Sequence, residues 1–204
     1  MLRNVLIIVG VVLIGVMVLM VSFARAGVEK LSNENLIETL GKNEIKIPLK
    51  NDEGEIYFEI YKLPETGVTP DNMMYGFKSI RDYLWLSFSS GVDKPKIMLL
   101  TADKKAAEYI KLIEKDKNDL AIESGNEAIN KLEYAYNLST KIDNKNVLKK
   151  QLLTQIKEAG YAYKQVFILG ESKFSLDEDK YRQLINKIDD WNKKQEKTNL
   201  EEDI

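Results

Sequence analysis

Apolar residues recur along this chain with three different periods, and each period predicts a different kind of element. From Val5 to Phe23 there is no period at all, only an unbroken uncharged apolar run. A helix crossing a bilayer core takes about twenty such residues. Residues 4–24 are therefore expected to span a membrane, with the positive start at Met1 and Arg3 held inside. Ala24-Arg25-Ala26, followed by Gly27, offers a cut after Ala26 that would release the rest as a secreted protein. The run is longer than the usual apolar region of a cleaved signal, about 7–15 residues, and this favours a retained anchor. Under either reading the remainder lies outside the cytoplasm.

Beyond a polar stretch with a short helix at Leu36, Ile37 and Leu40, the period becomes two. Ile45, Ile47 and Leu49 alternate, as do Ile56, Phe58 and Ile60, with Asn51-Asp52-Glu53-Gly54 between them. Alternation on both sides of a turn cluster predicts a β-hairpin. Pro48 has no N–H for a ladder and belongs on an outer edge. A lone hairpin is marginal in water, so this one is expected to pack on the helices that follow.

Those helices announce themselves by a period near 3.6. Thr69, Pro70 and Asp71 read as a helix start, joining a capping oxygen, a proline and a carboxylate at the positive end. Met73, Phe77, Ile80, Leu84 and Phe88 then form one face, and Ser89-Ser90-Gly91 ends it. Asp93 and Pro95 open a second helix with Leu99, Ala102, Ala106, Ile110 and Ile113 on its buried side. A turn at Lys115 to Asp119 leads to the most regular stretch. There Ile122, Ile129 and Tyr136 recur every seven residues, beside Ala121, Ala128 and Ala135 at the same interval. Sevenfold spacing keeps a seam against a neighbouring helix, and alanines let it come close. Leu152, Ile156, Ala159, Tyr163 and Val166 mark a further helix, ending near Gly170. A capping box at Ser175 to Glu178 starts the last, with Tyr181, Leu184, Ile188 and Trp191.

The predicted fold is mainly α: a transmembrane or signal helix, a small β-hairpin, then an antiparallel bundle of four to five helices. Residues 1–26 form the signal-anchor or signal peptide and 27–62 a linker with the hairpin. Residues 63–197 form the bundle, and 198–204 a disordered charged tail.

Composition narrows the chemistry. The chain is 44% hydrophobic and 30% charged, and the N-terminal run takes part of the apolar share. What remains suits helices that bury one stripe and solvate the rest. A net charge of -2 gives no basic surface for nucleic acid. Cysteine and histidine are both absent, which removes disulfides, the usual zinc ligands, a thiol nucleophile, a histidine base and lipid attachment at cysteine. No acidic cluster has the ligand spacing of a calcium loop, and no glycine-rich phosphate cradle follows a strand. No metal and no cofactor are expected.

One segment carries a resemblance. Tyr61-Lys62-Leu63-Pro64 is followed by Gly67, Pro70-Asp71, Tyr75, Lys78, Arg81-Asp82, Lys94 and Ala102-Asp103-Lys104. In this order and spacing the chain from Tyr61 to about Ser139 resembles a bacterial domain family of unknown function whose members sit behind a signal peptide or membrane helix. Pro95, Ala106 and Tyr109 depart from its pattern. The resemblance implies a helical, exported domain and no established chemistry.

Lys78, Arg81 and Asp82 are the most informative polar group, because Arg81 is the only arginine between residues 26 and 181. Its fork suits a carboxylate, and Asp103 across the interhelical turn is the expected partner. A structural ion pair is the favoured reading, with an anionic ligand as the other. Tyr134/Tyr136 and Tyr161/Tyr163 are spaced to put one ring inward and one outward. The functional expectation is a non-enzymatic module acting by contacts, with a protein partner or by self-association. Its rival is an extracellular domain that binds a small anionic ligand.

Overall fold

A computed structural model describes residues 43–50, 55–143, 147–173 and 178–202. The expected membrane segment, the short helix at 36–40 and residues 175–177 of the capping box lie outside the described residues. Among those described, no helix is long and apolar enough to cross a membrane. The described residues are mainly helical and form a two-stranded sheet and five helices.

Strands β1 (Asn43–Lys50) and β2 (Ile56–Leu63) pair antiparallel, in a register that sets Asn43 against Leu63 and Lys50 against Ile56. Directly opposed residues share a face, so Ile45, Ile47 and Leu49 stand with Tyr61, Glu59 and Tyr57. This face meets the helices: Ile47, Tyr61 and Leu63 join the main core, with Ile45 and Leu49 packed beside them. The other apolar set, Ile56, Phe58 and Ile60, is exposed. A sheet of two strands consists of edges, which admits Pro48 opposite Phe58.

Helix α1 (Tyr75–Phe88) begins four residues later than Thr69-Pro70-Asp71 suggests. Thr69 Oγ1 hydrogen-bonds Asp71 instead of a helix N–H, and the backbone turns through residues 70–74. The Asn72 side chain accepts from Met74 N at 2.9 Å just ahead of the helix. After Gly91, whose φ of 57° suits a residue without Cβ, comes α2 (Asp93–Glu114). The helices α3 (Asn118–Ser139), α4 (Val147–Lys173) and α5 (Glu178–Glu202) complete the bundle. The last helix continues to Glu202 where a tail from residue 198 was expected. No glycine or proline follows Trp191, and the Lys, Gln and Glu residues beyond it are good helix formers.

The core lies between α2, α3, α4 and α5. Tyr109 of α2 stands edge-on to Phe167 of α4, centroids 5.0 Å apart, and to Tyr181 of α5 at 6.4 Å. Its hydroxyl donates to Phe167 O at 3.2 Å, beside Gly170. A Cβ at Gly170 would collide with that hydroxyl, so glycine here admits the ring. Ala121, Ala128 and Ala135 are fully buried, Ile129 nearly so, while Ile122 and Tyr136 pack half-buried against the same core. Tyr163 is fully buried, whereas Tyr161 is half-buried and donates to Glu196.

Candidate functional site

Helix α1 is oriented opposite to what an amphipathic pattern suggests. It buries no residue completely. Met73, just ahead of it, is 96% exposed, and Phe77, Ile80 and Phe88 are 71%, 57% and 55% exposed. Turned inward instead is the row Tyr75, Lys78, Asp82 and Leu86, spaced three, four and four. Its apolar contact with the bundle comes from Trp85 and Leu86, which pack against Ile97 and Leu100 of α2, and Leu86 also packs against the main core.

Polar groups supply the rest of the attachment. Glu108 of α2 has a side chain only 1% exposed and is ringed by donors from both helices. Lys78 and Lys105 both pair with it, the latter at 3.1 Å, and the Tyr75 hydroxyl donates to Oε2 at 3.2 Å. Lys105 also reaches Glu127 of α3 at 2.7 Å and donates to the Tyr75 oxygen. Lys78 donates in addition to the Val68 carbonyl at 3.2 Å. Both ammonium groups lie over the Tyr75 ring, 5.2 and 4.9 Å from its centroid. Burial alone would lower the Lys105 pKa, yet hydrogen bonds to Glu127 and Tyr75 and the charge of Glu108 hold it above the ordinary lysine value. Burial likewise raises the Tyr75 phenol.

The pairing of Arg81 with Asp103 is corrected. Arg81 donates from Nε and Nη2 to its neighbour Asp82, at 3.0 and 2.6 Å, with its side chain 61% exposed. Asp103 lies on another side of α2, fully buried, where Tyr61 and Tyr163 donate to its Oδ1 at 2.9 and 2.8 Å. Its Oδ2 has no hydrogen-bond partner among the described residues. Burial pushes this carboxyl up to about 7, against the lowering effect of the two tyrosines. Asp103 thus ties hairpin to bundle, while Lys78 and Asp82 face α2 and Arg81 faces out. Glu158 of α4, raised to about 7 by burial and by Glu59 of β2, adds a second such carboxyl at the hairpin joint.

Tyr75 and Lys104 were singled out in the sequence only through the family resemblance, and Lys105, Glu108, Glu127 and Lys131 were passed over. One signal was present: Lys104, Lys105 and Glu108 share a helical flank with Ile97 and Thr101, so that flank mixes charge with apolar residues. Together with Lys78, Ser79, Asp82, Tyr83 and Leu86 they line a cleft of about 300 Å³ between α1, α2 and α3. Among the described residues no group of His, Cys, Asp and Glu could hold a metal ion.

Residues 67–160 match a family described as Domain of unknown function (DUF5667). The match covers α1, α2, α3 and the first half of α4, a little under half of the 204 residues, and so includes the whole cleft. No curated protein and no solved structure matches the chain.

Proposed function

We propose that this protein is a non-enzymatic, membrane-tethered contact module that pairs with a second copy of itself through the outward stripe of α1. The observation that carries the reading is the uncharged row Met73, Phe77, Ile80, Leu84 and Phe88, spaced four, three, four and four, of which all but the half-buried Leu84 are left in solvent. A seam of that spacing fits a facing helix. Two identical neutral stripes related by a twofold axis are complementary without any charge having to be matched. The stripe is short, about two heptads, and a pair this small is weak in dilute solution. A tether at residues 4–24 would hold copies outside the cytoplasm in one plane and raise their effective concentration.

The chain has no cysteine, so a single introduced thiol reports unambiguously. Ile80 lies at the middle of the stripe and would face its own copy whether the helices ran parallel or antiparallel. Full-length Ile80→Cys in membranes should form a disulfide-linked dimer under mild oxidation, and adding Phe77→Glu should prevent it. Glu133→Cys, on the exposed side of α3, should stay monomeric. A monomeric Ile80→Cys, or equal dimer from both positions, would sink the proposal.

A further inference from the structure

The cleft between α1, α2 and α3 can be read by accounting for its charges, independently of any self-association. Three carboxylates and four lysines line it. Glu108 is matched by Lys78 and Lys105, Glu127 by Lys105, and Asp82 by Arg81, which approaches it through two nitrogens. Every carboxylate of the cleft therefore has a cation at salt-bridge distance. Two of the lysines, Lys104 on α2 and Lys131 on α3, have no carboxylate at that distance among the described residues.

Lys104 is the more informative of the two. Its ammonium lies 5.4 Å from the centroid of the Trp85 ring, and the ring shields it from water on that side. A ring face attracts a cation but carries no net charge to neutralise it. Burial accordingly lowers the Lys104 pKa. Asp82 and Glu108 act on Lys104 from beyond salt-bridge distance and are opposed by Arg81 and Lys78. This cation, drawn partly out of water, therefore stays under-compensated, and an anion entering the cleft would supply what is missing. Ser79 and Tyr83, on the α1 wall, add hydroxyl donors at the same cleft. A cation would find no such vacancy, because the acidic groups are already occupied by lysine and arginine.

We infer that this cleft binds a small dianion, held by the Lys104 and Lys131 ammonium groups and by the Ser79 and Tyr83 hydroxyls. Size limits the occupant. A volume of about 300 Å³ stands at the lower end of small-molecule sites. A phosphate or a short dicarboxylate carries the required charge within that space. Both belong to one chemistry: two negative charges presented through oxygens that accept from ammonium and hydroxyl groups.

The test is calorimetric titration of the full-length protein in lipid nanodiscs with inorganic phosphate and, separately, with succinate, at fixed ionic strength. Saturable one-site binding of at least one anion is expected. Lys104→Gln and Lys131→Gln should each weaken it tenfold or more, and Lys104→Arg should preserve it. Lys46→Gln, an exposed lysine on the hairpin, should leave it unchanged. Binding of phosphate alone would assign a tetrahedral anion, and of succinate alone a dicarboxylate, and both support the site. Absence of saturable binding to either anion overturns it. So does a loss smaller than tenfold in Lys104→Gln, or an equal loss in Lys46→Gln. Should Lys104→Gln fail to fold by circular dichroism, the same threshold applied to Lys131→Gln decides.

Discussion

Helix α1 presents Phe77, Ile80 and Phe88 to solvent, whereas α5, with equally regular spacing, buries Tyr181, Leu184, Ile188 and Trp191. The difference lies in what each helix lands on. α5 meets the apolar flanks of α3 and α4, where Gly125 and Gly160 let Leu184 and Trp191 approach the backbone. α1 meets the flank of α2 that carries Lys104, Lys105 and Glu108. Leaving Glu108 buried without donors would cost about 3–5 kcal/mol, of the same order as exposing two apolar side chains on the far side. The receiving surface selects the face of α1 that can satisfy it, and that face is polar. Two helices with similar patterns thus have different physics: α5 is held by area and packing, α1 by an ion cluster and two side chains, Trp85 and Leu86.

Substitutions can break this contrast, beginning with the core. Phe167→Ala removes the ring that Tyr109 and Tyr163 pack on, and a buried phenylalanine truncated to alanine costs about 3–5 kcal/mol. Denaturant melts should show one cooperative loss for α2 to α5. A smaller effect of comparable order comes from Asp103. Its folded-state pKa of about 7 stands above the ordinary 3.8, so between those values the folded chain holds a proton that the unfolded chain releases. Stability should fall as pH rises from about 4 to about 7 and level off above, by on the order of 3–4 kcal/mol at 1.36 per unit. Glu158, raised likewise, adds to the same slope, so Asp103→Asn should reduce the slope without abolishing it; an unchanged slope would assign it to Glu158.

Ala128→Leu should destabilise by about 1–3 kcal/mol, because Ala128 is fully buried and a larger side chain there overpacks the core. Melts with an unshifted midpoint would mean that the seam around Ala128 can yield to a larger side chain. Glu108→Ala sharpens the contrast further. It should free α1, with amide exchange in Tyr75–Phe88 speeding at least tenfold, yet cost the bundle only about 1 kcal/mol or less. Loss of the whole fold instead would mean that α1 is part of the core. Least of all is expected from Ile80→Ser, within about 0.5 kcal/mol of the parent as a surface change. Its effect should appear only in self-association.

Much of this arrangement is written in the spacing of residues. The alternation at Ile45 to Leu49 and Ile56 to Ile60 marks the hairpin, and the heptad of alanines marks the middle of α3. Periodicity, however, identifies residues that share a face and is silent on what the face meets. It groups Met73, Phe77 and Ile80 correctly but leaves them exposed or buried as the neighbour decides. For the same reason Ile56, Phe58 and Ile60 form a true strand face that points away from the bundle. Ion pairing is less legible still. Arg81 has a carboxylate next to it in sequence and takes it, while Asp103, on a face that turns to β2 and α4, meets phenols. Charge type shows that a partner is needed, and only the packing of α2 against α1 and the hairpin assigns it.

The hairpin register has a mechanical consequence. Asn43, the first residue of β1, is opposite Leu63, the buried last residue of β2, and Tyr61 two residues back holds Asp103. A pull on the chain entering at Asn43 therefore loads the best-anchored end of the hairpin first, and the exposed half at Ile56–Ile60 stays slack. The ladder would open pair by pair from Asn43–Leu63, so the yield point is set by the phenol-carboxyl contact and the neighbouring apolar packing. Because the Asp103 carboxyl is raised to about 7, that yield force would vary with acidity, and the hairpin would act as a fuse whose rating depends on the proton.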